Sequence, residues 1–198
     1  MDAAAWDERY RDRELVWSAD PNVFVEREVA DLAPGRAVDL AAGEGRNAIW
    51  LARRGWEVEA VEFSPVAIDK GRELARRAGV EVTWTLADLT TSPALAPADL
   101  VLQVYLHLPR PQADEVLHHA SGLVRSGGTL LVVAHARRNL TDGYGGPPDP
   151  ELLPEPGEVA AVLAAAGLTV EHADEVTRAV ETDEGPREAI DVLVRARR

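Results

Sequence analysis

Three carboxylates each follow a segment of the chain that has the pattern of a β-strand. Asp39 closes the first apolar run, Glu62 follows the second, and Asp88 lies just past the third. In an open α/β sheet, ligands bind in the crevice at the carboxyl ends of the strands. The spacing therefore predicts one crevice with acids at three strand ends. Such a crevice suits a ligand that carries positive charge.

The stretch 37–48, AVDLAAGEGRNA, surrounds the first of these acids. It has the pattern of a buried strand that runs into a tight turn and then a helix, which presents backbone amides to a ligand. Gly43 and Gly45 let a ligand approach closely, because a Cβ there would collide with it. Glu44 places a further carboxylate in the turn, which makes the turn a poor site for a pyrophosphate.

The dinucleotide fingerprint G-x-G-x-x-A is also satisfied by residues 43–48, with Glu62 near the distance expected for a ribose-binding acid. A nucleotide-dependent oxidoreductase is therefore an alternative. Asp39 and Glu44 argue against it because they crowd a phosphate site, and Asp88 has no role in it. A purely structural explanation is the other alternative, but solvation alone accounts poorly for acids at three successive strand ends.

Strand and helix patterns alternate along most of the chain. Asp20 is expected to cap a helix that begins at Pro21. Apolar runs predict strands at 37–40, 56–61, 80–86, 99–104 and 129–134, helices at 47–55, 65–79, 109–124 and 158–166, and two final β-like runs at 168–180 and 188–195. The last two runs leave no room for a helix between them. We predict an α/β, Rossmann-like, doubly wound and mostly parallel sheet with a C-terminal antiparallel hairpin.

Two segments stand apart from this alternation. Residues 1–20 mix charges with Trp6, Tyr10 and Trp17, which predicts a surface helix or a cap over a ligand pocket. Residues 137–156 are rich in glycine, proline and aspartate, and loops of that length are usually lids, binding loops or disordered. At 198 residues, a single domain over the whole chain is the simplest expectation.

The composition of the chain limits the classes of molecule that it is expected to bind. The net charge of −13, with no basic stripe, disfavours nucleic acid and anionic membrane surfaces. The absence of cysteine excludes disulfides and thiolate chemistry. The N-terminal sequence is too polar for a signal peptide, and no apolar run reaches membrane-spanning length. We expect a cytoplasmic protein that acts on a small molecule; the sequence does not indicate its oligomeric state.

The strings VDLAAGEGRNAIWLA at 38–52 and VEAVEFSP at 58–65, followed by Asp88, resemble the class I S-adenosylmethionine-dependent methyltransferases. The resemblance extends from about residue 37 onward, and the terminal hairpin fits the seven-stranded fold of that family. The string GEGRNA-x-WLA is most similar to bacterial small-molecule enzymes of the tellurite-resistance and thiopurine-methyltransferase-like group. Ala41 replaces a frequent glycine of the family, and Glu62 replaces its commoner aspartate.

This resemblance implies S-adenosylmethionine as cofactor, with S-adenosylhomocysteine as its product. Asp39 would bind the ligand's ammonium group and Glu62 both ribose hydroxyls. Asp88, with the Leu89 amide, would read the adenine, on which Phe63 or Leu89 would stack. The full set of implied cofactor residues is Trp17, Asp39, Ala41, Gly43, Gly45, Arg46, Asn47, Glu62, Phe63, Asp88, Leu89 and Gln103.

Tyr105, His107 and His135 are predicted at the ends of the fourth and fifth strands, where the acceptor should lie next to the methyl group. They are the candidate catalytic residues, although a base is needed only if the acceptor arrives protonated. We expect no metal site, because the two histidines lack a third ligand. The resemblance implies methyl transfer to a small molecule, with a soft sulfur or chalcogen nucleophile as one candidate. A non-catalytic cofactor-binding protein is the alternative, and an NAD(P)-dependent oxidoreductase a weaker one.

Overall fold

A computed structural model describes residues 3–12 and 20–198 of the chain. Its strands are β1 (Arg36–Leu40), β2 (Glu57–Glu62), β3 (Thr83–Leu86), β4 (Ala98–Val104), β5 (Val124–His135), β6 (Thr169–Val180) and β7 (Arg187–Arg197). Its helices are α1 (Ala3–Arg11), α2 (Val23–Val29), α3 (Arg46–Arg53), α4 (Pro65–Ala78), α5 (Arg110–Leu123), α6 (Asn139–Asp142) and α7 (Pro156–Ala165). Two short 3₁₀ helices cover Leu89–Thr91 and Pro150–Leu152.

The seven strands form one sheet in the order β3-β2-β1-β4-β5-β7-β6. β1 pairs with β2, and β2 with β3, in parallel. β7 pairs antiparallel with both β5 and β6, with an irregularity in β6 between Val170 and His172. The predicted fold class, a mostly parallel Rossmann-like sheet that ends in an antiparallel hairpin, is confirmed.

The chain forms two compact units, residues 1–102 and 103–198. In the first unit, α3 and α4 pack on β2, and α1 packs on α4. Its core is made of strand and helix side chains that are almost wholly buried, such as Val38, Leu40 and Leu51. β1 is apolar along its buried length except at Asp39, so this carboxylate is enclosed by the elements that build the unit.

In the second unit, α7 packs against α5 and against β6. β5 and β7 supply most of the core, including Leu130, Leu131 and Leu193. β7 is buried continuously over residues 189–194, and the polar residue Asp191 lies within that stretch. Among the described residues, no helix is long and apolar enough to span a membrane.

Local signals placed most element ends within two residues, although β3 begins at Thr83 rather than at the predicted residue 80. Asp20 is not the cap of α2: Asn22 is, because its side chain accepts hydrogen bonds from the amides of Phe24 and Val25. β5 begins at Val124 rather than 129, and the predicted loop 137–156 contains α6 and a 3₁₀ turn. The predictions of a single domain, of a cap at 1–20 and of a lid at 137–156 stay predictions.

Trp84 on β3 occupies a slot that exists only because two glycines lack side chains. A Cβ built on Gly71 of α4 or on Gly45 before α3 would overlap the Trp84 ring. We expect Gly71→Ala to lower the free energy of unfolding by about 1–3 kcal/mol through overpacking. Gly122→Ala in α5 is the matched control, because a Cβ there meets nothing within 4 Å.

Alanine is the better helix former, so the control substitution should stabilise by about 0.5–1 kcal/mol. Urea unfolding followed by circular dichroism measures both changes. Equal effects of the two substitutions would show that Trp84 does not fill this slot.

Candidate functional site

A left-handed backbone shapes the turn between β1 and α3. Ala41, Gly43 and Gly45 have φ angles of 58°, 57° and 82°. Ala41 thus adopts the conformation for which the family that the sequence resembles often uses glycine, at the cost of some strain. Gly45 ends the turn as the N-cap of α3. Its missing side chain is required by the packing of Trp84, an explanation that does not involve a ligand.

Glu62 fastens this turn to the end of β2. The buried carboxylate accepts hydrogen bonds from the Gly43 amide at 2.9 Å and from the Ser64 amide at 3.0 Å. Burial raises the pKa of Glu62, and the amide donors oppose that rise. Each carboxylate oxygen has two lone pairs, so both can accept further hydrogen bonds. The sequence predicted only the ribose contact, and the clamp on the turn was not foreseen.

Asp39 is the most unusual ionisable group of the first unit. It is 1% exposed, and burial raises its pKa to about 7 even though Arg46 and the Ala48 amide favour the charged form. Within residues 3–12 and 20–198, its Oδ2 has no hydrogen-bond partner. An enclosed acceptor oxygen without a donor is costly unless a ligand satisfies it.

Two other residues of the turn are engaged within the unit. The Asn47 Oδ1 accepts a hydrogen bond of 2.9 Å from the Asn22 amide, which ties α3 to the start of α2. Glu44 is buried and lies 3.1 Å from the Nζ of Lys70 on α4. Lys70 is the only lysine of the chain. The turn is therefore held from three sides, by α2, α4 and the end of β2.

The residues predicted to hold an adenine lie at the ends of β2 and β3. Leu89 is buried and Phe63 is partly exposed. Asp88 is exposed, and its Oδ1 accepts from the amide and hydroxyl of Thr90, at 2.9 Å and 2.8 Å, as the cap of a 3₁₀ turn. The contact of Asp88 with adenine stays a prediction. Trp17 lies outside the described residues.

Helix α1 reaches the same end of the sheet. Asp7 accepts a hydrogen bond from the hydroxyl of Ser64, which also caps α4 by accepting from the Ala67 amide. The negative charge of Asp7 contributes to the raised pKa of Glu62. The N-terminal segment is thus coupled to the predicted ribose acid, which agrees with the expectation of a cap without testing it.

The second unit contains a buried charge network around Asp191. Its Oδ2 accepts hydrogen bonds of 2.7 Å from the Tyr105 hydroxyl and 2.7 Å from the Arg178 Nε. The pKa of Asp191 is lowered because hydrogen bonds and Arg178 outweigh its burial. Burial and Asp191 raise the pKa of Tyr105. The phenol therefore remains protonated. The backbone φ of Tyr105 is 59°, which lies in the strained left-handed region.

Two histidines stack beside this network. The rings of Tyr105 and His135 lie 4.8 Å apart, and those of His135 and His107 5.4 Å apart. His135 Nδ1 lies 3.0 Å from the Oδ1 of Asp191. The Nε2 of His107 accepts a hydrogen bond of 3.2 Å from the His135 amide. Burial lowers the pKa of His107 to about 4, so this ring is neutral near pH 7.

The segment after β5 folds over His135. The Asn139 side chain donates to the Gly145 carbonyl at 2.8 Å and accepts from the Ile190 amide at 2.7 Å. A Cβ on Gly146 would come within 2.8 Å of the His135 ring, so only glycine fits there in this arrangement. Gln103 is 5% exposed, and among the described residues its Oε1 has no partner. Its predicted cofactor contact stays a prediction.

Sequence reasoning missed Asp191 and Arg178. Both lie on the terminal hairpin, which entered the sequence analysis only as a fold signal. Asp191 had a detectable signature, since it interrupts the apolar run Ala-Ile-Asp-Val-Leu-Val of a predicted strand. A carboxylate in such a run must find partners, but the sequence does not reveal that Tyr105 and His135 are among them.

Comparison with known families gives the class of this domain. Residues 37–128 match the model of a family described as "Methyltransferase domain". The match covers just under half of the chain. This match and the fold agree with the resemblance to class I S-adenosylmethionine-dependent methyltransferases. The enzyme class and the cofactor that the resemblance implies stay predictions, because the chain spans about a third of the first relatives that it matches.

Several curated proteins resemble part of this chain. Hemagglutinin 1 of Eikenella corrodens is 26% identical over 112 residues, covering 56% of this chain and 37% of that protein. The ribosomal RNA small subunit methyltransferase C of Alcanivorax borkumensis is 30% identical over 107 residues, 52% of this chain and 33% of that protein. The ubiquinone biosynthesis O-methyltransferase of Xanthomonas euvesicatoria pv. vesicatoria is 25% identical over 158 residues, 71% of this chain and 65% of that protein. The chain spans about a third of the first two relatives.

Solved structures share the fold over nearly the whole of this chain. One, from work on the conversion of a disulfide bond into a thioacetal group during echinomycin biosynthesis, has a TM-score of 0.81 and 21% identity, covering 99% of this chain and 91% of the other. TehB from Haemophilus influenzae has a TM-score of 0.74 and 19% identity, covering 90% and 62%. Magnesium protoporphyrin IX methyltransferase from Synechocystis PCC 6803, solved with bound S-adenosylhomocysteine, has a TM-score of 0.66 and 16% identity, covering 96% and 83%.

Proposed function

We propose that this chain transfers the methyl group of S-adenosylmethionine to a small-molecule acceptor. The observation that carries the proposal is the buried Oδ2 of Asp39, a carboxylate oxygen beside the glycine turn that has no partner among the described residues. A cationic ligand group would supply the missing donor. Because the pKa of Asp39 is raised to about 7, the gain from a bound cation is larger here than at an exposed aspartate.

The residues of the first unit suit each part of this cofactor. Asp39 fits the ammonium of the amino-acid tail, and Glu62 has spare lone pairs for the ribose hydroxyls. The amides at the start of α3 suit the tail carboxylate. The bound cofactor supplies an electrophilic methyl group on a sulfonium sulfur. The protein contributes binding, orientation and exclusion of water, which together lower the barrier by several kcal/mol or more.

A small acceptor is favoured over nucleic acid by the charge of the chain. The net charge of −13 repels a polyphosphate backbone. Two relatives that each resemble just over half of this chain act on ribosomal RNA by their names, but the relative with the widest coverage is an enzyme of ubiquinone biosynthesis. We base the proposal of a small acceptor on the ubiquinone-biosynthesis relative, because both its wider coverage and the negative charge of this chain favour such an acceptor.

We further propose a soft nucleophile, sulfur or another chalcogen, as the acceptor atom. Two observations support it. The sequence string at 43–52 is similar to the tellurite-resistance group, and TehB shares the fold. The structure with the higher TM-score comes from a biosynthesis in which a disulfide becomes a thioacetal, which is chemistry at sulfur.

Two other functions make different predictions. An NAD(P)-dependent oxidoreductase would need a pyrophosphate at the turn, and Lys70 neutralises Glu44 there. Asp39 still opposes a phosphate, because its buried Oδ2 is an acceptor with no hydrogen-bond donor among the described residues. A non-catalytic cofactor-binding protein would share the whole first unit, so only turnover separates it from an enzyme.

Isothermal titration calorimetry tests the proposal. We expect S-adenosylhomocysteine to bind and NADH and NADPH to give no heat of binding. Asp69→Asn is the control variant, because the side chain of Asp69 on α4 is 76% exposed. It should bind S-adenosylhomocysteine with wild-type affinity. Turnover with thiols, tellurite, phenols and amines then separates an enzyme from a binder. Binding of NADH in place of S-adenosylhomocysteine would reject the methyltransferase.

A further inference from the structure

The glycine turn carries a buried carboxylate that the proposed cofactor contacts do not use. Glu44 lies between Gly43 and Gly45 and is 4% exposed. Its Oε1 accepts a hydrogen bond of 3.1 Å from Nζ of Lys70 on α4. The lysine side chain is 25% exposed, so both charges are partly withdrawn from water. Removal of one member of such a pair leaves the other charge buried without compensation.

The three acids around the turn differ in their partners. Asp39 has a carboxylate oxygen without a hydrogen-bond partner among the described residues, and Glu62 accepts from two backbone amides. Of the three, within residues 3–12 and 20–198, only Glu44 forms an ion pair with a basic side chain. The charge of Arg46, the next basic residue along the chain, acts on Asp39. The fold therefore neutralises the one acid that the proposed cofactor contacts leave unused.

Packing fixes the turn against α4 beside this ion pair. A Cβ built on Gly45 or on Gly71 would overlap the Trp84 ring, so the ring lies against both residues. Gly45 follows Glu44 in the turn, and Gly71 follows Lys70 in the helix. The ion pair and the ring therefore hold the same two elements together. Because the ring contact does not depend on charge, Glu44 should remain beside the turn when the lysine is replaced.

The charge at this position affects the anionic end of the proposed cofactor. The amino-acid tail of S-adenosylmethionine carries an ammonium group and a carboxylate. Asp39 suits the ammonium, and the amides at the start of α3 suit the carboxylate. Glu44 directly precedes Gly45, the N-cap of that helix. An uncompensated charge on Glu44 would lower the positive potential at the start of α3 and repel the carboxylate of the tail.

We propose that Lys70 is a positioning residue that neutralises Glu44 and thereby allows the glycine turn to bind the carboxylate of the cofactor's tail. This inference rests on the proposed function, and it assigns the ion pair behind the turn a role in ligand selection. The lysine acts through Glu44 and not by contact with the ligand. Without the lysine, the turn should discriminate against ligands that carry the carboxylate and not against the rest of the cofactor.

Two ligands that differ only in this carboxylate test the proposal. S-Adenosyl-3-thiopropylamine is S-adenosylhomocysteine without the carboxylate, and it keeps the ammonium group, the ribose and the adenine. Calorimetric titrations of the whole chain are made at pH 8, where Asp39 is charged because its pKa is about 7. We expect Lys70→Met to weaken binding of S-adenosylhomocysteine roughly tenfold and not to weaken binding of the thiopropylamine.

Removal of the charge on Glu44 should reverse this loss. The double variant Glu44→Gln/Lys70→Met has no charge at either position, and we expect it to bind S-adenosylhomocysteine within about threefold of the wild type. Lys70→Arg keeps a cation, so it should bind S-adenosylhomocysteine more tightly than Lys70→Met does. A loss that persists in the double variant would show that the lysine acts on the ligand directly, which would overturn the proposal.

Glu44→Gln keeps the test valid if Lys70→Met does not fold. This variant leaves the charge of the lysine uncompensated, which favours a carboxylate at the turn. The ratio of the affinities for S-adenosylhomocysteine and the thiopropylamine should therefore rise at least about threefold. An unchanged ratio in Glu44→Gln would overturn the proposal.

Arg72→Met is the matched control. It removes a cation from α4 whose side chain is 59% exposed and which pairs with the exposed Asp69 at 3.2 Å. We expect both affinities to stay within about twofold of the wild type, since exposed ion pairs contribute little. Equal weakening of both ligands in Lys70→Met would reject only the role of the lysine, whereas a wild-type chain that binds neither ligand would reject the proposed function itself.

Discussion

Replacement of Glu62 by alanine should weaken binding of S-adenosylhomocysteine roughly 100-fold, which corresponds to about 3 kcal/mol. Two losses add. The ribose hydroxyls lose a charged acceptor, and the amides of Gly43 and Ser64 lose the carboxylate that now holds them at 2.9 Å and 3.0 Å. Without that carboxylate, Gly43 loses its hydrogen bond to the end of β2. Calorimetric titration of the two proteins measures the change.

Glu57→Ala is the matched control, because Glu57 lies on the same strand with a side chain that is 76% exposed. We expect its effect on affinity to stay below about twofold, since an exposed ion pair contributes little. Glu62→Gln keeps the shape but places an NH₂ group against one of two N–H donors, so an intermediate loss is expected. Wild-type affinity in Glu62→Ala, combined with a lower melting temperature, would leave Glu62 a structural residue only.

Binding of S-adenosylhomocysteine should weaken as the pH falls below 7, by up to about tenfold per pH unit. The cause is Asp39, whose pKa is raised to about 7 by burial. Its proton must leave before the ligand's ammonium can pair with it. Asp39→Asn should remove this pH dependence and bind at pH 8 roughly 100-fold more weakly than the wild type, because a charged partner has been lost.

The same raised pKa changes the stability of the free protein. The folded state holds the Asp39 proton more tightly than the unfolded state, whose pKa is 3.8. This contribution is fully present below pH 3.8 and is lost as the pH rises to about 7. Asp39→Asn should therefore raise the melting temperature at pH 8 more than at pH 4. The difference in unfolding free energy is at most about 4 kcal/mol.

Asp69→Asn again provides the control, since its exposed carboxylate should show neither effect. Glu62 also has a raised pKa, so the comparison is between the slopes of wild type and Asp39→Asn, not their absolute values. An Asp39→Asn protein that binds S-adenosylhomocysteine at pH 8 as tightly as the wild type would refute the ammonium contact.

Most of the fold could be predicted because its signals are local. Ser64 and Pro65 mark the start of α4, and Gly79, with a φ of 69°, marks its end. The segment between the last two strands is too short to hold a helix, so the sequence predicted an antiparallel hairpin there. The errors arose where a contact from elsewhere decided the outcome. Asn22 and not Asp20 caps α2, and its own amide is bound by Asn47, 25 residues later in the chain.

The candidate site could be predicted in part for the same reason. Asp39 and Glu62 were found because they end strands, and their burial follows from that position. The hydrogen bond from the Gly43 amide to Glu62 depends on the pairing of β1 with β2, and that pairing cannot be read from the sequence of either strand. Asp191 accepts a hydrogen bond from Tyr105, which lies 86 residues away in the sequence, so only the folded chain identifies the pair.

The ion pair between Lys70 and Glu44 contains a side chain that can be labelled selectively. No other side chain in the sequence carries a primary amine, and none carries a thiol. A reagent that acylates lysine therefore has one side chain to modify, and that side chain is joined to the glycine turn at 3.1 Å. Acylation would remove the cation from a buried carboxylate. The labelling rate of one amine thus becomes a direct report on the state of the turn.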